Sequence, residues 1–116
     1  MPIKRGEIYW AALDPVRGSE QAGHRPVVVL QNNVGNEFSP TTIVAPVTTK
    51  KFHKEYPTNV YLPKSSGLKE DSTVLLSQIR TVDKSRLGKK VASLTPFYLD
   101  QVDEAIRNSL GVRAAP

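Results

Sequence analysis

The chain has 116 residues, with 16 Lys and Arg against 11 Asp and Glu, a formal net charge of +5, two His and no Cys. This length and a hydrophobic fraction of 39% predict one globular domain over residues 1–116 and exclude a disordered or fibrous chain. The absence of Cys excludes disulfides and thiolate chemistry, and two His give little basis for a His-rich metal centre. Because no apolar run could cross a membrane, we expect a soluble, cytoplasmic domain, and its positive surplus is compatible with an anionic partner.

Short strands separated by turns are predicted over the first three quarters of the chain. In chain order they are residues 3–13, 25–31, 41–48, 58–62, 73–78 and 89–94. Residues 25–31 form an unbroken β-branched run, which is typical of a strand covered on both faces. The Asn- and Gly-rich residues 32–40 are predicted to form a loop.

A helix is predicted at the C-terminal end, where the apolar period changes to three or four residues. Thr95 is a candidate N-cap, Pro96 suits the first helical position, and Gly111 follows the last periodic residue. The apolar stripe consists of Leu99, Val102, Ile106 and Leu110. Strands first and a helix last predict a mainly β, α+β fold, with a bent sheet or partial barrel and one closing helix.

Pairing of two predicted strands would place Arg25 and Thr48 close together. If residues 25–31 and 41–48 pair as a hairpin, setting Val28 opposite Ala45 gives one continuously apolar face, whereas a one-residue slip mixes the two faces. This register sets Arg25 opposite Thr48, with Cβ atoms about 5 Å apart. A guanidinium beside a hydroxyl can hold a phosphate. The alternative is an Arg that pairs with a carboxylate and a Thr present for its strand propensity.

A series of segments in a fixed order extends over most of residues 3–94. The segments are KRGEIY at 4–9, PVRGSE at 15–20, RPVVV at 25–29, NEFS at 36–39, APVT at 45–48, DSTVLL at 71–76 and QIRTVD at 78–83. Together they resemble the MazF/PemK family of toxin endoribonucleases (mRNA interferases) from bacterial toxin–antitoxin modules. The resemblance implies an SH3-like barrel, a homodimer, and cleavage of single-stranded RNA without a metal or other cofactor. It also implies 2′,3′-cyclic phosphate and 5′-hydroxyl ends, and therefore attack by the ribose 2′-hydroxyl.

By the same resemblance, Arg25 and Thr48 fall on catalytic positions, and Ser19, Glu20 and Gln78 on positions that shape the substrate pocket. Glu20 is either a general base or a solvated loop carboxylate. The loop after Thr48 interleaves cations with aromatic residues, a composition that suits an RNA-tracking groove as well as a merely exposed loop. We expect a substrate-binding role for Lys50, Lys51, Phe52 and Lys54.

Other polar and aromatic residues near these positions have more ordinary interpretations. His24 adjoins the arginine of its strand, but strand neighbours point to opposite faces, so we expect a surface or subunit contact rather than a general base. Trp10 alternates with strand residues and is predicted to lie in the core. Arg80 and Arg86 are candidates either for RNA contacts or for an ion pair near Asp83.

The chain departs from close relatives at Ser77, where many members have Glu, at Arg17, which replaces a commonly apolar residue, and in a shorter loop at residues 64–69. These changes bear on cleavage-site preference more than on catalysis. The family partner is a MazE-like antitoxin with an acidic, disordered tail. The alternative functions are a non-catalytic toxin of the same fold that binds a protein such as DNA gyrase, and an RNA-binding adaptor.

Overall fold

A bent antiparallel sheet dominates the computed structural model, which describes residues 2–49 and 56–113. The strands in this part of the chain are β1 Glu7–Ala12, β2 His24–Val29, β3 Thr41–Thr48, β4 Asn59–Leu62, β5 Ser72–Leu75, β6 Arg80–Asp83 and β7 Leu87–Ser93. Their hydrogen-bonded order is β4-β5-β3-β2-β1-β7, and β6 pairs with β3. The mainly β, α+β fold is confirmed, although the strand path through these residues is open at β4 and β7 rather than closed into a barrel.

The predicted register between β2 and β3 is confirmed. The ladder pairs Val27 with Pro46, Val28 with Ala45 and Val29 with Val44. Both faces of this ribbon are buried, since the three valines of β2 are fully inaccessible to solvent. Each such side chain contributes about 1.5–3 kcal/mol on burial. The ribbon is therefore the centre of the fold, as its unbroken apolar sequence predicts.

Strand β3 is shared by three neighbours. Along one edge it pairs with β2. Along the other edge its first half pairs with β6, where Val44 meets Arg80, and its end pairs with β5, where Thr48 meets Thr73. The strand β6 was not predicted, because its sequence RTVD holds a single apolar residue with its side chain in the core, Val82.

The predicted loop at residues 32–40 is wrong in its middle, where a short helix, α1 Asn33–Phe38, forms. Asn32 caps this helix, with its Oδ1 accepting from the Gly35 amide at 2.8 Å. The buried Asn36 side chain accepts from Thr42 Oγ1 at 2.8 Å and donates to the Gln31 carbonyl at 2.8 Å. Asparagines that read as loop residues therefore satisfy the backbone and side-chain polar groups of a compact helical turn.

The strand predicted at residues 73–78 ends early. It becomes β5 followed by a 3₁₀ turn, Leu76–Gln78, which separates β5 from β6. The buried Leu76 anchors this turn in the main core. The turn matters for the site because it carries Ser77 and Gln78 out of the sheet.

The C-terminal helix is confirmed as α2 Pro96–Leu110, with Pro96 in the first turn and Gly111 in the left-handed conformation (φ 73°) at its end. Thr95 occupies the N-cap position, but its side chain makes no capping hydrogen bond. Val102 is fully buried, whereas Leu110 is 62% exposed, so the packed part of the stripe ends before the last turn. No helix in the described part of the chain is long and apolar enough to span a bilayer.

Candidate active site

The loop between β1 and β2 is closed at its base by main-chain and side-chain hydrogen bonds. The Leu13 amide donates to the Gly23 carbonyl at 2.9 Å, and the Gly23 amide donates to Asp14 Oδ1 at 3.1 Å. Gly23 has a φ of 79°, a conformation that glycine adopts without steric cost. The loop therefore leaves and re-enters the sheet at a fixed point, directly before Arg25.

Two arginines from outside the loop hold its first residues. Arg80 Nη1 donates to the Leu13 carbonyl at 3.1 Å. Arg86 Nη1 donates to the carbonyls of Ala12 at 3.1 Å and Asp14 at 2.5 Å. Together the two guanidinium groups bind three consecutive main-chain carbonyls and fix the direction in which the loop starts.

Asp83, the expected ion-pair partner of these arginines, is engaged elsewhere. Its carboxylate accepts from the Ser85 amide at 2.9 Å. Hydrogen bonds from the side chain and amide of Ser85, with a smaller contribution from the Arg86 charge, lower the pKa of Asp83. The carboxylate therefore caps the 3₁₀ turn that follows β6.

Gln78 holds the far part of the same loop. Its Oε1 accepts from the Gln21 amide at 2.7 Å, and its Nε2 donates to the Ser19 carbonyl at a long 3.5 Å. Glu20 is exposed and folds back on the loop, with its Oε1 accepting from the Arg17 amide. The structure therefore brings together the three predicted pocket residues Ser19, Glu20 and Gln78.

A cleft of about 220 Å³ lies beside this contact. Its lining residues are Glu20, Gln21, Pro46, Gln78, Ile79 and Arg80, with Ser77 at the same surface. We call it the Gln78 cleft. Its lining residues include one carboxylate, two carboxamides and one guanidinium, together with a proline and an isoleucine.

Arg25 lies in β2, opposite Ala11 of β1, and is partly buried. Its Nε donates to the Ala22 carbonyl at 2.9 Å, which fixes the plane of the guanidinium. Within the described residues, the terminal nitrogens of this guanidinium have no hydrogen-bond partner or ion pair. They are the donors of Arg25 that an anion could use.

Thr48 is the last residue of β3 and is only 3% exposed. The ladder between β2 and β3 stops at Val27 and Pro46, two residues short of Arg25 and Thr48 on the two strands. The two predicted catalytic residues therefore lie at the same end of the ribbon, beyond its hydrogen-bonded part. Their direct contact stays a prediction.

The basic loop after β3 lies outside the described residues. This applies to all four of its predicted substrate-binding residues, Lys50, Lys51, Phe52 and Lys54. The RNA-tracking groove that they were expected to form stays a prediction.

Trp10 is partly buried rather than a core residue, so that prediction is wrong. Its ring stacks on the exposed ring of His24, with centroids 5.2 Å apart and planes tilted by 24°. His24 pairs with Ala12 and the adjacent Arg25 with Ala11, so the two side chains point to opposite faces of the ribbon, as expected. The stack of Trp10 on His24 therefore lies on the side of the ribbon opposite to the Arg25 side chain.

A second, larger cleft of about 550 Å³, which was not predicted from the sequence, is lined among others by Ile3, Glu7, Tyr9, Lys84, Leu87 and Lys90. We call it the Glu7 cleft. Glu7 accepts from Lys90 Nζ at 2.6 Å, from the Lys4 amide at 2.6 Å and from the Tyr9 hydroxyl at 2.9 Å. The alternation of Glu7 and Tyr9 along β1 is a sequence signal that could have indicated this pairing.

Burial and hydrogen bonding act on Glu7 and Tyr9, two of the groups that line the Glu7 cleft. Burial and the hydrogen bond to Glu7 raise the pKa of Tyr9 to about 12. For Glu7, burial raises the pKa, but the hydrogen bonds from Lys90, Lys4 and Tyr9 and the Lys90 charge outweigh it and leave the pKa below its usual value. At neutral pH the Glu7 carboxylate is therefore ionised and the Tyr9 phenol is neutral.

The chemistry available at the Gln78 end of the sheet is anion binding and planar hydrogen bonding. Arg25 supplies a guanidinium with open terminal donors, and the cleft supplies both a donor and an acceptor. In residues 2–49 and 56–113, no three His, Cys, Asp or Glu side chains cluster as metal ligands would.

Comparisons with known proteins agree with this architecture. The sequence profile of the PemK-like, MazF-like toxins of type II toxin–antitoxin systems matches residues 4–110. Endoribonuclease EndoA from Bacillus subtilis (strain 168) is 50% identical over 113 residues, which cover 97% of each chain.

Solved structures give the same result. MazF from Deinococcus radiodurans has a TM-score of 0.81 and 30% identity over 97% of this chain and 99% of its own. A MazE–MazF crystal structure from the same organism has a TM-score of 0.76 over 97% and 99% of the two chains, and its 24% identity supports the fold alone. The chain therefore belongs to the PemK-like, MazF-like toxins of type II toxin–antitoxin systems.

Proposed function

We propose that this protein cleaves single-stranded RNA without a metal ion, using the RNA's own 2′-hydroxyl as the nucleophile. An endoribonuclease toxin is the class that family membership and 50% identity to an endoribonuclease support. The observation that carries the chemical proposal is Arg25, whose guanidinium is held by the Ala22 carbonyl with its terminal donors open. A plain RNA-binding adaptor does not need a donor pair fixed in this way.

Arg25 stabilises the reacting phosphate in this mechanism. Attack of the 2′-hydroxyl produces a crowded, doubly charged phosphorus centre, and a planar guanidinium can bind two of its non-bridging oxygens at once. Because the Nε hydrogen bond orients the group before RNA binds, little reorganisation is needed as charge develops. The products are a 2′,3′-cyclic phosphate and a 5′-hydroxyl.

Proton transfer requires groups other than a guanidinium base. The pKa of an arginine side chain lies above about 12, so Arg25 is a poor general base and acts electrostatically or donates to the departing 5′-oxygen. Glu20 is the candidate general base, because its exposed carboxylate lines the Gln78 cleft. Thr48, at the end of β3, donates a hydrogen bond that orients the phosphate.

The substrate extends on both sides of the cut phosphate. Ser19, Glu20 and Gln78 hold a nucleobase next to the cut phosphate. The basic loop with Lys50, Lys51, Phe52 and Lys54 follows the RNA backbone. As in the family that the sequence resembles, the protein acts as a homodimer. Its activity is held in check by a MazE-like antitoxin, whose acidic, disordered tail occupies the same basic surface.

The test is incubation of the purified protein with a long single-stranded RNA in EDTA, followed by mapping of the fragment ends. We expect defined fragments with cyclic phosphate and 5′-hydroxyl ends, and no cut at a target nucleotide carrying a 2′-deoxyribose. Fragments that form only after a divalent metal is added would contradict metal independence. Cutting at the deoxy site would exclude attack by the 2′-hydroxyl. No cleavage at all, together with binding to a protein such as gyrase, would favour the non-catalytic alternative.

A further inference from the structure

The orientation of the Gln78 carboxamide is fixed by chemistry. The Gln21 amide can only donate, so the atom that faces it at 2.7 Å must be the acceptor Oε1. This places the two N–H donors of Gln78 on the other side of the group. One of them points to the Ser19 carbonyl at 3.5 Å, at the limit of a hydrogen bond. Gln78 therefore has its acceptor engaged by the protein and its donor capacity largely unused.

Glu20 presents the complementary group in the same cleft. Its Oε1 accepts from the Arg17 amide, and an ionised carboxylate offers further lone pairs on both oxygens. Its side chain is exposed and lines the Gln78 cleft. The cleft thus offers a donor, Gln78 Nε2, and an acceptor, the Glu20 carboxylate.

The size and walls of the cleft suit one flat ring. Its volume of about 220 Å³ is below the roughly 300–1,000 Å³ of sites for drug-sized ligands. Pro46 and Ile79 supply apolar surface against which a ring can lie. Proteins read unstacked RNA bases in this way, by packing on the ring face and by hydrogen bonds to the Watson–Crick edge.

We propose that the Gln78 cleft selects a keto base, uracil or guanine, over an amino base, with Gln78 donating to the base carbonyl and Glu20 accepting from the neighbouring ring N–H. This inference rests on the proposed RNA-cleaving function and names the base edge that the site reads. Uracil O4 and N3–H, and guanine O6 and N1–H, present the same adjacent acceptor and donor.

Cytosine and adenine present the opposite pair. Their exocyclic amino group faces the Gln78 donor, and their ring nitrogen, an acceptor, faces the Glu20 carboxylate. Both contacts are repulsive or unsatisfied, and a mismatched base edge costs about tenfold to a hundredfold in affinity. Arg80 adds a further donor at the same cleft, which also favours a base carbonyl over an amino group.

The matched test exchanges the two polar groups. In the double variant Gln78→Glu/Glu20→Gln, each side chain keeps an oxygen for its loop amide while donor and acceptor change places, and the net charge is unchanged. The probes are uncleavable 2′-O-methyl oligouridylate and oligocytidylate, whose affinities are compared for each protein. We expect the wild type to bind oligouridylate about tenfold tighter, and the double variant to prefer oligocytidylate.

Two controls separate the inference from other effects. Gln101→Glu adds one negative charge at an exposed position on α2 that does not line the cleft, so it should keep the wild-type ratio. Thermal unfolding of each variant reports whether the fold is intact. Equal binding of the two probes by the wild type, or an unchanged preference in a folded double variant, would overturn the inference.

Cleavage of a randomised RNA pool distinguishes this inference from the proposed function. Sequenced fragment ends should show uracil or guanine at one position near the cut in the wild type. The double variant lacks the candidate general base Glu20 and is therefore compared by binding alone. Cleavage without keto preference at any position keeps the proposed function and rejects the base assignment. Keto-selective binding without cleavage keeps the base assignment and rejects the nuclease.

Discussion

The Glu7 cleft is larger than the Gln78 cleft, about 550 against 220 Å³, yet three of its polar side chains, Glu7, Tyr9 and Lys90, are occupied by one another. The Glu7 carboxylate accepts from an ammonium, a phenol and a main-chain amide. In the Gln78 cleft, by contrast, a carboxamide donor and a carboxylate are only partly engaged. Unused hydrogen-bonding capacity, rather than volume, therefore distinguishes the surface suited to a ligand from the surface that stabilises the fold.

The strongest test of this comparison is Arg25→Ala, which removes the proposed catalytic guanidinium near the start of β2. Removing a preorganised donor from a developing phosphate charge should slow single-turnover cleavage by about 10²–10³-fold. Dimerisation and thermal stability should change little, because Arg25 makes one described hydrogen bond to the main chain. The matched control is Arg113→Ala at an exposed position beyond α2. A cleavage rate equal to wild type would place the reaction elsewhere and make the Glu7 cleft the next candidate.

A smaller effect is expected from Arg86→Ala, which removes two hydrogen bonds to the start of the β1–β2 loop. We propose that this loop binds substrate, and a displacement of about 1 Å can cost up to 10²-fold in rate, so we expect a loss of about tenfold to a hundredfold. The loop at residues 14–23 should also become more sensitive to limited proteolysis. Arg86→Lys keeps the charge without the fork of donors and should recover only part of the rate. Full activity in Arg86→Ala would show that the loop keeps its position without Arg86.

The smallest effect on cleavage, and a measurable one on stability, is expected from Glu7→Gln. Loss of the charge-assisted contacts to Lys90 and the Lys4 amide should lower the free energy of unfolding by about 1–2 kcal/mol at neutral pH, because the ion pair is partly exposed. Cleavage should be unchanged. Denaturant titrations and single-turnover rates measure the two quantities. A large loss of cleavage in a stable variant would mean that the two clefts are not separate in function.

The pH dependence of the same variant provides a further measurement. The folded state lowers the pKa of Glu7, so its contribution to stability is complete above the unfolded pKa near 4.5 and is lost as the pH falls through the folded value. The stability difference between wild type and Glu7→Gln should therefore be largest at neutral pH and shrink on acidification below pH 4.5. A difference that is constant across this range would exclude the carboxylate charge as its source.

Patterns that depend on neighbours in the sequence predicted much of the fold. The requirement for one continuously apolar face predicted the register of β2 on β3, and the three- and four-residue steps with Gly111 predicted α2. The short helix α1 was missed because asparagines are typical of loops. The hydrogen bond between Asn36 and Thr42, which buries the Asn36 side chain in the folded chain, is not evident from the local sequence. Strand β6 was missed because its sequence RTVD has no apolar alternation, and the strand forms through its backbone pairing with β3.

The candidate site was only partly predictable. Its residue types came from a resemblance, and the register placed Arg25 and Thr48 at one end of the ribbon. The contact that fixes the loop, between Gln78 and the Gln21 amide, joins residues 57 positions apart and has no signal in the local sequence. The same holds for the main-chain carbonyls bound by Arg80 and Arg86. From the sequence, both arginines were candidates for RNA contacts or for an ion pair near Asp83, because the carbonyls that they bind come close to them only in the folded chain.

The shared strand β3 has a consequence for synthesis of the protein. Its first edge partner, β2, precedes it in the chain, whereas β5 and β6 on its other edge follow it. A growing chain that has released β3 from the ribosome still lacks Gln78 and both arginines that hold the β1–β2 loop. The loop, and with it the Gln78 cleft, can be completed only after Arg86 has emerged. The Gln78 cleft is therefore absent from a nascent chain until the residues up to Arg86 have left the ribosome.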